Sequence, residues 1–296
     1  MSAPLVTISS TFYNTGPAIL DMLRSVFAQT FSDWELVLID DGSTDETPVL
    51  AASVKDPRIR IYRNERNRGQ SYSLNRITEA ARGKYIARMD SDDLCSPERI
   101  RKQVELLESE PSIDVAGTGM CYLDSNGMPL GDGPVVRGHA QICKNPNRGF
   151  RIAHGTLLGK KSWFEKHPYD ENLKRAADFN LFYRSYRDSV FDNVPEPLYY
   201  YNFDQSFHLK KQFIDRKNSA SFLFAGNWNE GRYGAAIGHS VLQYLKFGLT
   251  VGFLCTGLRG RLMARRFGKM SEAKKTHFLQ ELDYIRSIRL PGIEEV

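Results

Sequence analysis

The sequence has no close pair of cysteines. Its four, Cys95, Cys121, Cys143 and Cys255, lie far apart without CxxC spacing. That argues against a zinc site or a disulfide framework and suits a reducing compartment. Long hydrophobic runs are scarce too. Phe247 to Leu258 (FGLTVGFLCTGL) is free of charge but only twelve residues long, and a membrane-spanning helix needs about 20. Met1 to Ser10 shows no basic segment followed by an apolar run, so no secretory signal is visible and a cytoplasmic location is expected. Charge of one sign is lacking as well. Forty Lys and Arg face thirty-five Asp and Glu, a formal charge of +5, and nucleic acid is not an expected partner.

What is present describes a folded protein. Hydrophobic residues make up 41% and charged residues 25% of 296 residues, enough chain for one large α/β domain or two smaller ones. Val6 lies in an apolar run (LVTIS). Pro17 then opens a helical pattern of Ile19, Leu20, Leu23, Val26 and Phe27. Trp34 to Ile39 reads as a strand that stops at Asp40-Asp41-Gly42-Ser43, and Thr44 to Thr47 supplies caps for a second helix. Ile59 to Tyr62 reads as a strand, Ser71 to Ala81 as a helix, and Tyr85 to Met89 as a strand running into Asp90-Ser91-Asp92-Asp93. Strands and helices alternating at this spacing predict a mostly parallel sheet covered on both faces. In such sheets ligands bind beyond the carboxyl ends of the strands, where both acidic clusters fall.

Further on, Pro97 precedes an amphipathic helix carrying Ile100, Val104 and Leu107. Val115 to Leu123 reads as a strand, Asp124 to Gly127 as a turn, and Gly131 to Arg151 as a long loop. His154 to Leu158 is expected to be a strand, Ala177 to Tyr186 a helix, and the tyrosine run Tyr199 to Tyr201 a core strand. The tract after Phe207 is basic and helical in character. Three segments follow: 1–100 as a nucleotide-binding half, 101–206 as an acceptor-binding half of the same domain, and 207–296 as a basic helical extension. Within the extension, 240–275 pairs the short apolar run with Arg259, Arg261, Arg265, Arg266 and Lys269. Such a segment either lies in a membrane interface or packs internally.

Two clusters can carry chemistry. Carboxylates at Asp90 and Asp92 can converge on one hard cation, Mn²⁺ or Mg²⁺, that bridges them to substrate phosphates; capping of the next helix would explain one acid only. Asp41 at a strand end can accept the imide N–H of uracil or thymine, or the N1–H of guanine, whereas cytosine presents an acceptor there; or it can simply cap the following helix.

Ser10-Thr11-Phe12-Tyr13-Asn14, DDGSTD at Asp40 to Asp45, Asn67-Arg68-Gly69 ahead of Asn75, and DSDD at Asp90 to Asp93 together resemble the family 2 inverting glycosyltransferases of the GT-A fold, including bacterial polysaccharide-synthesis members. The resemblance covers about residues 3 to 208. It implies that Thr11, Tyr13, Asp41 and Asn67 line a nucleoside pocket and that Asp90, with Ser91, contacts the donor. Asp92 would hold the divalent metal, and His208 would touch the diphosphate or complete the metal shell. Asp178, heading a helix, would be the general base, and His154 would fall in the acceptor pocket. The expected reaction moves a sugar from a UDP-sugar to a glycan or lipid-linked glycan. Two positions depart from the family pattern: Ala177 replaces a glutamate, and Leu74 stands where many members carry arginine. A nucleotidyltransferase is disfavoured, because Thr11 to Gly16 lacks a glycine-rich basic loop. A non-catalytic nucleotide-sugar-binding subunit is the other reading, and Ala177 gives it footing.

Overall fold

The structure is a computed structural model that describes residues 3–203, 209–255 and 270–293. Strand β1 (Val6–Phe12) leads through α1 (Ala18–Phe27) to β2 (Trp34–Asp40), and through α2 (Thr47–Ser53) to β3 (Ile59–Arg63). Helix α3 (Gln70–Ala80) then returns the chain to β4 (Tyr85–Asp90). All seven residues of β1 and of β2 are buried, as a parallel sheet covered on both faces requires. Helix α1 buries Ile19, Met22, Leu23 and Val26, the apolar stripe its periodicity announces.

The second half comprises β5 (Leu94–Cys95), α4 (Arg99–Ser109), β6 (Val115–Leu123), β7 (Pro129–Asp132) and α5 (His139–Ile142). After them come β8 (Leu158–Lys160), α6 (Lys161–Lys166), α7 (Ala177–Ser185) and β9 (Phe191–Asn202). One nine-stranded sheet results, in the order β3-β2-β1-β4-β8-β6-β9-β5, with β7 paired to β6. The pairings β3-β2-β1-β4 are all parallel. Beyond β4 the ladder turns antiparallel at β8, and β6 runs parallel to β9. The chain leaves β1 in one direction for β2 and β3 and comes back on its other side as β4. A crevice therefore opens between the carboxyl ends of β1 and β4. Thr11 pairs with Ile39 on one side and Asp90 on the other, so both acidic clusters flank the end of one strand.

Two expectations are corrected. His154–Thr156 forms a single 3₁₀ turn, and the strand starts only at Leu158. Thr156 Oγ1 donates to the Ala153 carbonyl at 2.7 Å, a local bond that competes with ladder pairing. The stretch 131–151 includes the end of β7 and the short α5. It is strapped to β9 by Arg137, whose guanidinium pairs with Asp192, and by Asn193 Nδ2 donating to the Val136 and Arg151 carbonyls.

The C-terminal tract divides in two. Helices α8 (Leu209–Asn229) and α9 (Tyr233–Cys255) make a hairpin. Helix α10 (Glu272–Arg286) instead returns to the body, where Phe278, Leu282 and Ile285 pack with Ala28, Leu94, Cys121 and Tyr200. Both oxygens of Glu281 accept hydrogen bonds, from Ser96 Oγ and from the Tyr200 hydroxyl.

Candidate functional site

Beyond β2 the chain turns at Gly42, whose φ is +81°. A Cβ there would come within 2.8 Å of the backbone at Arg66 and Asn67, so only glycine lets these two loops touch. Their contact builds a pocket of about 330 Å³ lined by Thr11, Tyr13, Asp41, Asn67, Gly69 and Lys174 among others. The four residues expected in a nucleoside pocket are thus together. Asp41 is buried, and its Oδ1 accepts from Asn64 Nδ2 (2.7 Å), the Arg68 N–H (2.9 Å) and Ser73 Oγ (3.1 Å). Among the described residues Oδ2 accepts only from the Gly69 N–H, at 2.8 Å, which leaves that oxygen room for a further donor. The capping role considered for Asp41 is corrected: among the described residues it makes no bond to α2 and instead organises the 64–69 loop.

A larger cavity, about 780 Å³, adjoins it and contains Thr11, Tyr13, Asp90, Ser91, Asp92, Asp178 and residues of α8. The DSDD run splits into three fates. Asp90 lies on the same face of β4 as Arg88, whose guanidinium grips it at 2.7 and 2.5 Å. Burial alone would push the Asp90 carboxyl up, but the Arg88 charge and hydrogen bonds outweigh it and hold Asp90 below the usual range. Asp93 points inward, accepting from the Tyr199 hydroxyl at 2.9 Å and the Asn202 N–H at 2.8 Å. Burial, with Asp92 and Asp90 nearby, pushes it well up. Only Asp92 turns its carboxylate to the cavity without a side-chain donor among the described residues. Burial and the Asp90 charge raise its pKa. Ser91 shares a 2.8 Å hydrogen bond with Thr15 Oγ1, closing the crevice between β1 and β4.

No group of three or more His, Cys, Asp and Glu converges among the described residues. One free carboxylate beside a cavity of phosphate-binding size nevertheless fits Mg²⁺ or Mn²⁺, which are often held by one or two carboxylates plus substrate phosphates. His208 lies outside the described residues.

Across the cavity, Asp178 sits in the first turn of α7. It is open to the cavity's water, yet the surrounding walls remove enough solvent to raise its pKa, against the Phe179 N–H and the Arg88 charge. The turn before it is held by Arg175, which makes a two-point pair with Asp215 of α8 at 2.9 and 3.0 Å. Between them Ala176 adopts φ +60°. Asn75 is not a cavity residue. Its amide bridges the Tyr169 N–H and carbonyl at 2.8 and 2.9 Å.

Several cavity residues escaped the sequence reading. Arg88 is the foremost, and the Arg-x-Asp spacing on a strand was its available signal. Arg175, Lys211, Asp215 and Arg216 also line the wall. His154 Nε2 and the Tyr169 hydroxyl are bonded at 2.7 Å beside the cavity, and burial and the Arg88 charge hold His154 well below its usual pKa.

Residues 7–167 match the family model described as Glycosyl transferase family 2. The chain belongs to that family. The putative glycosyltransferase EpsE of Bacillus subtilis is 31% identical over 75% of this chain and 82% of its own length. The putative teichuronic acid biosynthesis glycosyltransferase TuaG of Bacillus subtilis is 34% identical over 43% of this chain and 51% of its own. Among solved structures, S. aureus TarS 1–349 in complex with UDP-GlcNAc superposes with a TM-score of 0.63 at 17% identity, covering 96% of this chain and 81% of that one. The mannosyltransferase PcManGT from Pyrobaculum calidifontis, in complex with GDP-Man and Mn²⁺, gives 0.56 at 16% identity over 97% and 86%. These likenesses establish the GT-A architecture, and the family establishes a glycosyltransferase. The matched residues of this family 2 member span β1 to α6. Asp178 and the α8–α9 hairpin lie beyond them.

Proposed function

We propose that this glycosyltransferase transfers a sugar from a UDP-sugar, with inversion, to a glycan or lipid-linked glycan acceptor. The observation that carries the reading is one cavity in which Asp92 and Asp178, both without side-chain partners among the described residues, share the space next to a pocket made by Thr11, Tyr13, Asp41 and Asn67. The base of the nucleotide would enter that pocket, where the second lone pair of Asp41 Oδ2 suits an imide N–H. Uracil and thymine offer that donor, guanine offers a similar one at N1, and cytosine offers none. TarS, solved with UDP and with UDP-GlcNAc, supports the same choice.

Asp92 would hold a divalent ion, Mn²⁺ or Mg²⁺, which when bound supplies positive charge to the departing diphosphate. Lys211 and Arg216, on the cavity wall, add charge of the same sign. Asp178 would accept the proton of the acceptor hydroxyl as that oxygen attacks the anomeric carbon. Its raised pKa brings its proton affinity closer to the working pH, which favours general base action. Arg88 holds Asp90 ionised and fixed for contact with the donor.

Calorimetric binding of UDP, dTDP, GDP and CDP, each with and without Mn²⁺, tests the donor side in the wild type and in Asp92→Ala. Metal-dependent preference for UDP or dTDP, lost in the variant, is the expected outcome. Binding indifferent to both metal and Asp92 would make the acidic cluster structural. UDP binding without any turnover would favour the non-catalytic reading that Ala177 suggests.

A further inference from the structure

Helix α9 is amphipathic the wrong way round for water. Its inner side meets α8 through small and polar groups and one aromatic contact, Phe247 against Phe213 with ring centroids 5.2 Å apart. Ala236 and Gln243 are fully buried, Gln243 accepts from Arg216 at 3.2 Å, and Ser240 Oγ donates to the Ala220 carbonyl at 3.0 Å. Its large apolar residues point out. Tyr233, Ile237, Val241, Tyr244, Leu245 and Leu249 are between 47% and 65% exposed. At 1.5 Å per residue the stripe from Tyr233 to Leu249 is about 24 Å long. At the hairpin turn Trp228 contacts Tyr233 with ring centroids 4.6 Å apart, and Phe224 stacks on Trp228, so the apolar surface continues onto α8. Ten of the seventeen exposed large hydrophobic residues among those described lie on this hairpin. An uncovered apolar surface of that extent marks an interaction site.

We propose that the outer face of the α8–α9 hairpin docks on an anionic lipid surface. Charge selects that occupant. The hairpin, 209–255, has six Lys and Arg and two acids. Both acids are paired within the protein, Asp215 with Arg175 and, at the surface, Glu230 with Arg187 and the hairpin's own Arg232. Lys210 and Lys217 stay exposed. Trp and Tyr at one end of an apolar stripe, with basic side chains around it, match the headgroup boundary of a bilayer. Among the described residues no helix is long and apolar enough to cross a membrane, so docking is interfacial. The opposite side of α8 supplies Lys211, Asp215, Arg216 and Ser219 to the catalytic cavity. Seating the hairpin on lipid would therefore bring the cavity close to the membrane surface. The purpose of such docking, though not the surface itself, rests on the lipid-linked acceptor proposed above.

Full-length protein is centrifuged with vesicles of phosphatidylcholine alone and of phosphatidylcholine mixed with phosphatidylglycerol. The wild type is expected to pellet with the mixed vesicles, less with the neutral ones, and less again in high salt. Combining Ile237→Glu, Val241→Glu and Leu245→Glu, all exposed positions, is expected to lower partitioning about tenfold or more while UDP binding stays unchanged. A measurement on the wild type alone guards against a misfolded variant. Of three tryptophans, Trp34 and Trp163 are buried and only Trp228 is exposed. Emission should move to shorter wavelength when mixed vesicles are added. No pelleting with either vesicle and no emission shift would overturn the proposal. So would a wild type that sediments as a dimer, ignores vesicles and becomes monomeric in the triple variant, since a second copy would then cover the face. Lost vesicle binding with intact UDP binding leaves the transferase reading standing, and the reverse result leaves the surface standing.

Discussion

Arg88 and Asp90 project from the same face of β4 and close a two-point ion pair at 2.7 and 2.5 Å, with Arg88 only 3% exposed. The Arg88 carbonyl in turn accepts from the buried Arg99 at 2.6 Å. Replacing Arg88 by Met leaves the Asp90 charge half-buried without its counterion. Breaking such a pair is expected to cost about 3–5 kcal/mol. Chemical denaturation should show the loss, and Arg88→Met with Asp90→Asn together should recover part of it. A single variant as stable as the wild type would refute a structural role for the pair.

Asp178→Asn keeps the shape of the cavity and removes the proton acceptor. The expected result is a fall in kcat of about 10² to 10⁴ with UDP affinity unchanged by calorimetry. If turnover survives, the base lies elsewhere in the cavity.

The direction of the Asp178 shift also fixes two pH trends. A base must be ionised, so the acid limb of kcat/KM should lie above the ordinary aspartate range and vanish in Asp178→Asn. For stability the sign is opposite to that of a salt-bridged acid. Burial raises the folded pKa above the unfolded one, so between the two values the folded state binds more protons. Its contribution is then lost as pH rises through the folded value. At neutral pH the Asn variant should therefore unfold at a higher temperature than the wild type, and a lower Tm would contradict the shift.

Asp41 and Asn67 should separate fold from ligand. Asp41→Asn removes one oxygen acceptor while the Arg68, Gly69, Ser73 and Asn64 donors remain, so it should lower both stability, by about 1–3 kcal/mol, and UDP affinity. Asn67 is exposed, and Asn67→Ala should weaken UDP while leaving the denaturation midpoint in place. Equal destabilisation by both would mean that the pocket is only a turn.

Ala176 holds φ +60°, a conformation that costs a residue with a Cβ about 1–2 kcal/mol. Ala176→Gly should stabilise the protein, after the entropy of the freer unfolded chain is deducted, by about 0.5–1 kcal/mol. Thermal unfolding reads this directly, and a destabilised variant would show that the methyl group is needed for packing.

The parallel half of the sheet was legible because buried parallel strands are apolar throughout and break sharply at the acids, as Trp34 to Asp40 does. Asp41 was visible from the same break, while Thr11, Tyr13 and Asn67 were named by the family resemblance alone. The residues of DSDD by themselves did not say which acid stays without a side-chain partner, and only the family resemblance set Asp92 apart. The alternation of a strand ends at Asp90, and the turn beyond it sends Asp93 toward Tyr199 and Asn202, partners 106 and 109 residues away. Arg88 was passed over because a charge within an apolar strand finds its reason only in the partner two residues on. The apolar face of α9 hid for a different reason. Its residues stand mostly four apart among Gly, Ser and Gln, so a search for an unbroken run lands on Phe247 to Leu258 and misses Tyr233 to Leu245.

Helix α10 sets a limit on when this chain can finish folding. Leu282 and Ile285 fill the space beneath β5 and β9, and the Lys55 N–H donates to the Pro291 carbonyl at 2.8 Å. Strands made early in synthesis thus wait for a helix made late. While the ribosome is still at work, Leu94, Cys121 and Tyr200 lack their cover, and the nascent sheet is exposed to aggregation or chaperones until α10 emerges. A chain cut short in the 256–269 stretch would keep every residue of the proposed donor and base sites and still be an unfinished body.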